Sequence, residues 1–260
     1  MVTFDPHPVR VLAPQAAPRL LTAERHKEQI LAELGIHSML VIPFDEQFAR
    51  KTGEEFIREL IDHCSELRQI AVGSDFEFGH QRSGNVALLD SLAADYGFTV
   101  TALDQVLVNG ERVSSTAVRR AVEAGDLAKA ATFLGRDYTV LGTVIEGRQL
   151  GRTIGFPTAN LTVHSEQLPP NGVWAVTVQL GERSLKGVAN LGVRPTVEGG
   201  EVKKLLEVHL FDFQEDLYGK EMTVRFDRFI REEKKFASID ELKEQIAMDA
   251  VNARKLYMKN

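Results

Sequence analysis

The sequence predicts two domains of different class, a parallel α/β half followed by an antiparallel β-barrel or sandwich that ends in a helix. Strand and helix signals alternate through residues 1–135, whereas strand-like runs separated by glycines dominate residues 136–260. A length of 260 residues suits one large domain or two ordinary ones, and 43% apolar and 26% charged residues are typical of a globular protein. We therefore expect one domain over residues 1–135 and another over residues 136–260, without a long linker.

Short apolar runs predict the strands of the N-terminal half, namely VTF (2–4), MLVIPF (39–44), QIAVG (69–73) and TVTAL (99–103). Continuous runs such as MLVIPF and QIAVG are typical of parallel strands that are covered on both faces. The intervening helices carry cap and stop signals, which are Thr22, Gly35, a capping box at 52–55, Gly97 and Ser115. Cys64 falls within the second predicted helix, where we interpret it as a packing residue.

The C-terminal half shows little helical periodicity before its last twenty residues. Its strand-like runs are YTVLGTVIEG, GVWAVTVQLG, SLKGVANLG, KLLEVHLFDF and EMTVRFDRFIR. A capping box at 238–241 then opens a helix whose apolar residues recur at helical spacing. This pattern predicts an antiparallel β-sheet structure followed by one packed helix.

Composition and charge exclude several classes of protein. A net charge of −6 disfavours electrostatic binding of nucleic acid by the whole protein. No apolar run approaches the length of a membrane span, and no basic-then-apolar signal peptide is present, so we expect no membrane association. The single cysteine cannot form an internal disulfide, which suits a cytoplasmic protein.

The segment GRQLGRTIGFPTANL (147–161) is rich in residues that bind phosphate. Gly147, Gly151 and Gly155 recur every four residues, and Arg148 and Arg152 follow two of them. Glycines let backbone amides approach an anion closely, and arginine adds charge-assisted donors. The spacing of the glycines alone favours a hairpin that needs glycine at positive φ.

Within the same segment, PTAN (157–160) places Thr158 and Asn160 two residues apart, so on an extended chain both side chains face the same way. A hydroxyl and an amide beside an amide-rich loop can hold a hydrated Mg²⁺ ion and phosphate oxygens. Magnesium bound by few protein ligands, several waters and phosphates is the usual arrangement.

The motifs together resemble one bacterial family, the bifunctional riboflavin kinase/FAD synthetases. The kinase half of that family is matched by GRQLGRTIGFPTANL, GVWAV, GVANLGVRPT, LEVHLFDF, DLYGK and IREEKKFAS. The adenylyltransferase half is matched by VTFDPHP, VGSDFEFGHQRSG and VSSTAVRR. The resemblance implies a Rossmann-like nucleotidyltransferase domain over 1–135 and a six-stranded Greek-key barrel with a terminal helix over 136–260.

For the kinase half, the resemblance implies transfer of the γ-phosphate of ATP to riboflavin, giving FMN. Thr158 and Asn160 match the Mg-ATP residues, with Thr158 on the metal, and Glu207 matches the general base. The strand pattern is compatible with this role, because Leu206 and Val208 alternate with Glu207 and so place it on the opposite face of the strand. A solvated strand residue is the alternative interpretation of Glu207.

The flavin contacts implied by the resemblance lie ahead of the last helix. Arg231, Glu233 and Phe236 stand where family members close over the isoalloxazine ring. Helix-entry packing and a surface charge run explain the same residues equally well.

For the adenylyltransferase half, two of three family elements are present. Ser114, Ser115 and Thr116 stand at a predicted helix start with Arg119 one turn later, an arrangement that suits an anion. The segment from Asp75 to Arg82 resembles the flavin- and ATP-binding loop of the family. A simple N-cap and a turn are the alternatives.

The third family element is a strand followed by a loop of the form GxFDGxHxGH, whose histidines stabilise the phosphates. The seven histidines of this chain include no two within three residues of each other. VTFDPHP matches the family's second strand, so we expect a domain without its central first strand and impaired in making FAD. A natural shortening, a miscalled start and a fragment all fit this pattern.

Three hypotheses of function follow from the sequence. The first is a riboflavin kinase with little or no adenylylation of FMN, and the second is a bifunctional enzyme whose upstream residues are missing from the sequence. The third is a non-catalytic flavin- or nucleotide-binding module that regulates a partner. The expected ligands are riboflavin, FMN, ATP and Mg²⁺, and unpaired strand edges would favour a homo-oligomer.

Overall fold

The computed structural model describes residues 1–64, 66–147, 151, 155–195 and 202–258. The chain packs as two compact units, which we describe separately. The N-terminal unit contains residues 1–18 and 31–113, and the barrel unit contains residues 19–30 and 114–260. Residues 19–30 and 114–135 thus pack in the same unit as the barrel strands, and the domain boundary after residue 135 stays a prediction.

The strands of the N-terminal unit form pairs. β1 (Val2–Asp5) runs parallel to β2 (Leu40–Pro43), β3 (Gln69–Gly73) runs parallel to β4 (Thr99–Leu103), and β5 (Leu107–Val108) forms a hairpin with β6 (Glu111–Arg112). The predicted alternation of parallel strands and helices is confirmed. Across residues 1–64 and 66–113, however, the strands are arranged as separate two-stranded sheets rather than one.

The burial predicted for these strands is wrong. Leu40 in β2 is 46% exposed, and β3 alternates between exposed and half-buried residues. A strand is covered on both faces only where a wide sheet lets helices pack on both sides. In a two-stranded pair each strand has a free edge, which leaves part of an apolar run in contact with water.

The helices of the N-terminal unit are α1 (Pro8–Leu12), α3 (Gly53–His63) and α4 (Val86–Tyr96), whereas most of α2 (Glu24–Glu33) belongs to the barrel unit. The capping box at Thr52 and the left-handed Gly97 that ends α4 are as predicted. Cys64, however, is exposed at the C-cap of α3, so the prediction that it packs in the helix is wrong. A small core of Ile57, Leu89, Leu92 and Phe98 joins α3 and α4 to β3 and β4.

The barrel unit begins with two short helices, α5 (Ser115–Glu123) and α6 (Leu127–Leu134). Ser114, and not Ser115 as predicted, caps α5, because its side chain accepts a hydrogen bond from the backbone N–H of Ala117. The barrel strands follow as β7 (Thr139–Ile145), β8 (Ala159–Val163), β9 (Gly172–Leu180), β10 (Arg183–Pro195), β11 (Val202–Leu210) and β12 (Glu221–Arg231). The chain then enters α7 (Ile239–Tyr257), which Ser238 caps as predicted.

The six strands close into an antiparallel barrel in the order β10-β11-β8-β7-β12-β9. Every strand has two neighbours, so closure leaves no free sheet edge. The interior is filled by fully buried apolar side chains such as Leu161, Val176, Leu206 and Met222. The predicted six-stranded antiparallel barrel with a terminal helix is confirmed. Among the described helices, none combines the length and the apolar character needed to cross a membrane.

Candidate active site

One row of directly paired residues runs around the barrel and contains three of the predicted site residues. From β12 to β7, the row consists of Arg231, Val173, Asn190, Glu207, Asn160 and Ile145. Residues directly opposite each other in antiparallel strands have Cβ atoms about 4.5–5.5 Å apart and lie on the same face of the sheet. Glu207 therefore lies between Asn190 and Asn160.

This row lies on the outer face of the barrel. Leu206 and Val208 are buried inside the barrel, whereas Glu207 between them is only half-buried. The alternation predicted around Glu207 is thus confirmed. A cavity on this outer face is lined by Thr158, Glu207, Arg231, Glu233 and Phe236, which brings five predicted kinase residues together.

The glycines of the phosphate-binding segment pack against PTAN. A Cβ on Gly147 would lie 2.2 Å from Nδ2 of Asn160, and a Cβ on Gly151 would lie 3.1 Å from Oγ1 of Thr158. Gly155 instead adopts a φ of +88°. Gly147 is therefore required by close approach to the side chain of Asn160, and Gly151 chiefly by the backbone oxygen of Phe156, which would lie 2.3 Å from an added Cβ. Gly155 is required by its backbone conformation. Arg148 and Arg152 lie outside the described residues.

Asn160 presents an oxygen that suits a cation. Its side chain is 6% exposed, and Oδ1 has no hydrogen-bond partner among the described residues. A buried carbonyl oxygen without a partner is costly unless a ligand satisfies it. The hydroxyl of Thr158 lines the cavity two residues away. These two oxygens are the hard ligands that Mg²⁺ prefers, so the residues present fit the ion.

At the other end of the cavity, Arg231 is held by a buried carboxylate. Its Nε donates to Oδ1 of Asp249 at 3.0 Å and its Nη2 donates to Oδ2 at 2.7 Å. The side chain of Asp249 is only 4% exposed, and Gln245 donates a further hydrogen bond to it. Such a bidentate pair fixes the plane of the guanidinium group.

Phe236 and Glu233 complete this end of the cavity. The guanidinium carbon of Arg231 lies 5.8 Å from the centroid of the Phe236 ring, and Nζ of Lys234 lies 5.0 Å from the same centroid. Asn190 donates to Oε1 of Glu233 at 3.1 Å, and a Cβ on Gly192 would lie 2.4 Å from the same oxygen. Strand β10 therefore contacts Glu233, and the three predicted flavin residues lie around one cavity, while the charge run from Glu232 to Lys235 is exposed.

The six residues predicted for the adenylyltransferase half are divided between the two units. Ser114, Ser115 and Thr116 open α5 in the barrel unit, and Arg119 in the same helix donates to the backbone oxygen of Arg19 at 2.7 Å. Partial burial lowers the pKa of the Arg119 guanidinium.

Asp75 and Arg82 belong to the N-terminal unit, where both are exposed. Asp75 accepts a hydrogen bond from Arg112, which lowers the pKa of its carboxyl group, and Arg82 pairs with Glu77 at 3.1 Å. Both are therefore engaged in surface ion pairs within their own unit.

Four polar residues of the kinase cavity were not predicted from the sequence, namely Asn190, His209, Lys234 and Asp249. His209 follows Glu207 by two residues on β11, so the strand period could have placed it on the same face. Asn190 lies within a motif that the sequence analysis quoted. Nothing in the local sequence marks Asp249, because its partner Arg231 is eighteen residues away on another element.

Comparison with known proteins agrees with this division of the chain. A family model described as riboflavin kinase matches residues 134–257, and one described as FAD synthetase matches residues 1–117. A bifunctional riboflavin kinase/FMN adenylyltransferase of Escherichia coli K12 is 44% identical over 99% of this chain and 82% of its own length. The chain belongs to the bifunctional riboflavin kinase/FMN adenylyltransferase family.

Other members of this family are similar over the same extent. The Haemophilus influenzae protein of the same description is 38% identical over 99% of this chain and 83% of its own length. Among solved structures, one titled as a macrolide-efflux protein from Streptococcus pneumoniae is similar, with a TM-score of 0.76 and 28% identity. The match covers 95% of this chain and 80% of that one. The similarity therefore extends across both units.

Proposed function

We propose that the cavity on the outer face of the barrel is the site where riboflavin receives the γ-phosphate of ATP. The observation that carries this proposal is the row that places Glu207 directly beside Asn160, with Thr158 in the same cavity. A carboxylate next to phosphate and metal ligands is the arrangement that phosphoryl transfer to a hydroxyl requires.

Glu207 acts as the general base in this proposal. Its carboxylate takes the proton of the 5′-hydroxyl of riboflavin as that oxygen forms its bond to the γ-phosphorus. The bond between the γ-phosphorus and the bridging oxygen breaks, so ADP leaves and FMN is formed. Proton acceptance by a placed side chain contributes about 10²–10⁴-fold, and positioning with charge neutralisation supplies most of the remainder.

Thr158 and Asn160 bind ATP at one end of the cavity in this proposal. The hydroxyl of Thr158 and Oδ1 of Asn160 are the oxygens that would hold Mg²⁺, which when bound neutralises charge on the phosphates of ATP. In the described part of the chain, no group of three His, Cys, Asp or Glu side chains could bind a metal. A site built from two neutral oxygens and the nucleotide's own phosphates agrees with that finding.

Arg231, Glu233 and Phe236 bind the flavin at the other end of the cavity in this proposal. The aromatic ring of Phe236 can stack on an isoalloxazine ring, and Glu233 and Arg231 offer an acceptor and donors for its polar edge. Asp249 and Asn190 keep the two charged side chains oriented. The flavin is thus held by residues from β10, β12 and α7 and from the segment between β12 and α7.

A substitution of the base tests this assignment. The Glu207→Gln variant keeps the shape of the side chain but cannot take a proton, so FMN formation from riboflavin, ATP and Mg²⁺ should fall by about 10²–10⁴-fold. Glu215→Gln is the matched control, because Glu215 is an exposed carboxylate of the same unit that pairs with Arg183. A Glu207→Gln enzyme with the rate of the parent would overturn the role of Glu207.

We also propose that this 260-residue chain makes little or no FAD. The two closely spaced histidines that stabilise the phosphates in the family's adenylylation loop are not present in this chain. Chromatography of the products from riboflavin, ATP and Mg²⁺ should therefore show FMN without FAD. Substantial FAD would show that the histidine loop is dispensable. Binding of riboflavin and ATP without any FMN would instead favour the non-catalytic module.

A further inference from the structure

His209 occupies the same cavity as the proposed base without taking part in the proposed chemistry. It lies two residues after Glu207 on β11 and lines the cavity together with Glu207 and Thr158. Its Nδ1 lies 2.9 Å from the backbone oxygen of Pro157. A carbonyl oxygen only accepts hydrogen bonds, so Nδ1 carries the hydrogen and donates it.

The ring of His209 also contacts the residue before Pro157. Phe156 meets it edge-on, with ring centroids 5.5 Å apart, and the ring of Phe211, the residue after β11, has its centroid 5.9 Å away. The backbone N–H of Phe156 in turn donates to the oxygen of Gly151 at 2.8 Å. His209 therefore contacts two consecutive residues that immediately precede Thr158.

The segment Phe156–Thr158 needs such a contact because it lies outside the barrel ladder. Strand β8 begins at Ala159, and its pairing with β11 extends only from Ala159 to Leu161. Among the described residues just before Ala159, namely 155–158, none is paired with β11 in the ladder. The hydrogen bond from His209 reaches the backbone one residue before Thr158 and ties it to the strand that carries Glu207.

We infer that His209 is a positioning residue, which fixes the Phe156–Thr158 segment against the strand of the base and so aligns the bound nucleotide with Glu207. The inference rests on the proposed function, because it needs Thr158 to hold the nucleotide. A shift of a few tenths of an ångström at Thr158 would move the γ-phosphate relative to Glu207 and slow transfer. Riboflavin is held from the other end of the cavity, so its binding is independent of His209.

Two substitutions separate the hydrogen bond from the packing of the ring. In His209→Phe an aromatic ring remains between Phe156 and Phe211, but the donor to Pro157 is lost. In His209→Asn the amide nitrogen takes the place of Nδ1, so a donor remains while the ring is lost. His164→Phe is the matched control, because His164 also bonds to the barrel, through Thr143, but does not line the cavity.

Steady-state kinetics of FMN formation give the first readout. We expect kcat/KM for ATP to fall about tenfold in His209→Phe, the effect of one lost positioning hydrogen bond, with the KM for riboflavin unchanged. His209→Asn should recover most of this loss, and His164→Phe should behave as the parent. A purely structural role of the ring predicts the reverse order, with Asn worse than Phe, and that order would overturn the inference.

Hydrogen exchange followed by mass spectrometry gives a second readout that does not depend on activity. The amide of Phe156 should exchange faster in His209→Phe than in the parent, in His209→Asn or in His164→Phe. Unchanged exchange in His209→Phe would overturn the positioning role even if the kinetics differed. Absence of FMN formation by the parent chain would instead refute the proposed function, and hydrogen exchange would still decide whether His209 fixes the segment.

Discussion

The barrel and the N-terminal unit are both built on apolar β-strands, yet they bury them to different degrees. In the barrel each strand pairs on both edges, and interior side chains such as Leu206 and Val224 are inaccessible to water. In the N-terminal unit β1 pairs with β2 and β3 with β4, and Val2, Leu40 and Leu103 are 45–55% exposed. Burial therefore follows from the number of paired neighbours more than from the apolar character of a strand.

The same difference applies to the proposed sites. The kinase residues Asn160, Glu207 and Arg231 occupy one row of the closed sheet, where strand register fixes their spacing. The adenylyltransferase residues lie at a helix start and in a surface loop that belong to different units. Sites on regular elements of a scaffold are held more precisely than sites on loops. We therefore expect the kinase activity to withstand changes in the N-terminal unit.

The largest expected effect compares a buried leucine of the barrel with an exposed leucine of the N-terminal unit. Leu206→Ala should lower the free energy of unfolding of the barrel by about 2–5 kcal/mol, because it leaves a cavity in a closed core. Leu40→Ala should change the free energy of unfolding of the N-terminal unit by less than about 0.5 kcal/mol, as is usual for exposed side chains. Urea unfolding measures both, followed by the fluorescence of Trp174, the single tryptophan and a barrel residue, for the barrel and by far-ultraviolet circular dichroism for the N-terminal unit. Equal shifts for the two variants would contradict the comparison.

The next effect concerns the buried ion pair at the flavin end. Asp249→Asn should cost about 3 kcal/mol of stability, because it leaves the largely buried Arg231 without its counter-ion. It should also raise the KM for riboflavin without changing the KM for ATP. Asp212→Asn is the control, since Asp212 also joins α7 to the barrel through Arg254 but is exposed and outside the cavity. An unchanged KM for riboflavin in Asp249→Asn would remove Arg231 from the flavin site.

The third effect is the pH dependence that buried His26 confers on the barrel unit. Burial and the nearby Arg136 lower the pKa of His26 from 6.5 to about 4. Between pH 4 and 6.5 the unfolded chain therefore binds a proton at His26 that the folded chain does not bind. As a result, the free energy of unfolding falls as the pH falls from 6.5 towards 4. The slope from this group should approach about 1.4 kcal/mol per pH unit.

The contribution of His26 can be isolated by substitution. Between pH 6.5 and 5, stability should depend less on pH in His26→Gln than in the parent, as measured by urea unfolding at each pH. This range lies above the ordinary pKa values of carboxyl groups, so their protonation contributes little there. Equal slopes in the two proteins would show that His26 is protonated in the folded state.

The smallest effect tests why glycine stands at position 147. Gly147→Ala should displace Asn160, because the added Cβ would lie 2.2 Å from its Nδ2, and should lower kcat/KM for ATP about tenfold or more. Gly181→Ala is the control, since Gly181 has a φ of +57° and no atom within 4 Å of an added Cβ. The control should lose some stability through backbone strain and keep its kinetics. Normal kinetics in Gly147→Ala would show that Asn160 does not hold the nucleotide.

Much of the local structure was predictable, but its burial was not. The capping box at Thr52, the N-cap at Ser238 and the stop at Gly97 depend on residues a few positions apart, and the structure shows them as expected. The capping box predicted at 238–241 is not completed, because the side chain of Glu241 accepts a hydrogen bond from the backbone N–H of Ala237 instead of that of Ser238. The MLVIPF run predicted a strand correctly but not its exposure, because exposure depends on which strands pair beside it. The predicted packing of Cys64 was wrong because α3 ends one residue before it, which leaves the side chain at the surface.

By itself, the sequence determined the two fold classes, the strand face of Glu207 and the family, because all three depend on short-range periodicity or on contiguous motifs. Only the tertiary structure decided which distant residues are neighbours. It places Arg231, Asn190, Glu207 and Asn160 in one row. It also brings Gly147 into contact with Asn160 and pairs Asp249 with Arg231. The row alone joins residues up to seventy-one positions apart, from Asn160 to Arg231. Strand register and barrel closure create this row, and neither has a local signature in the chain.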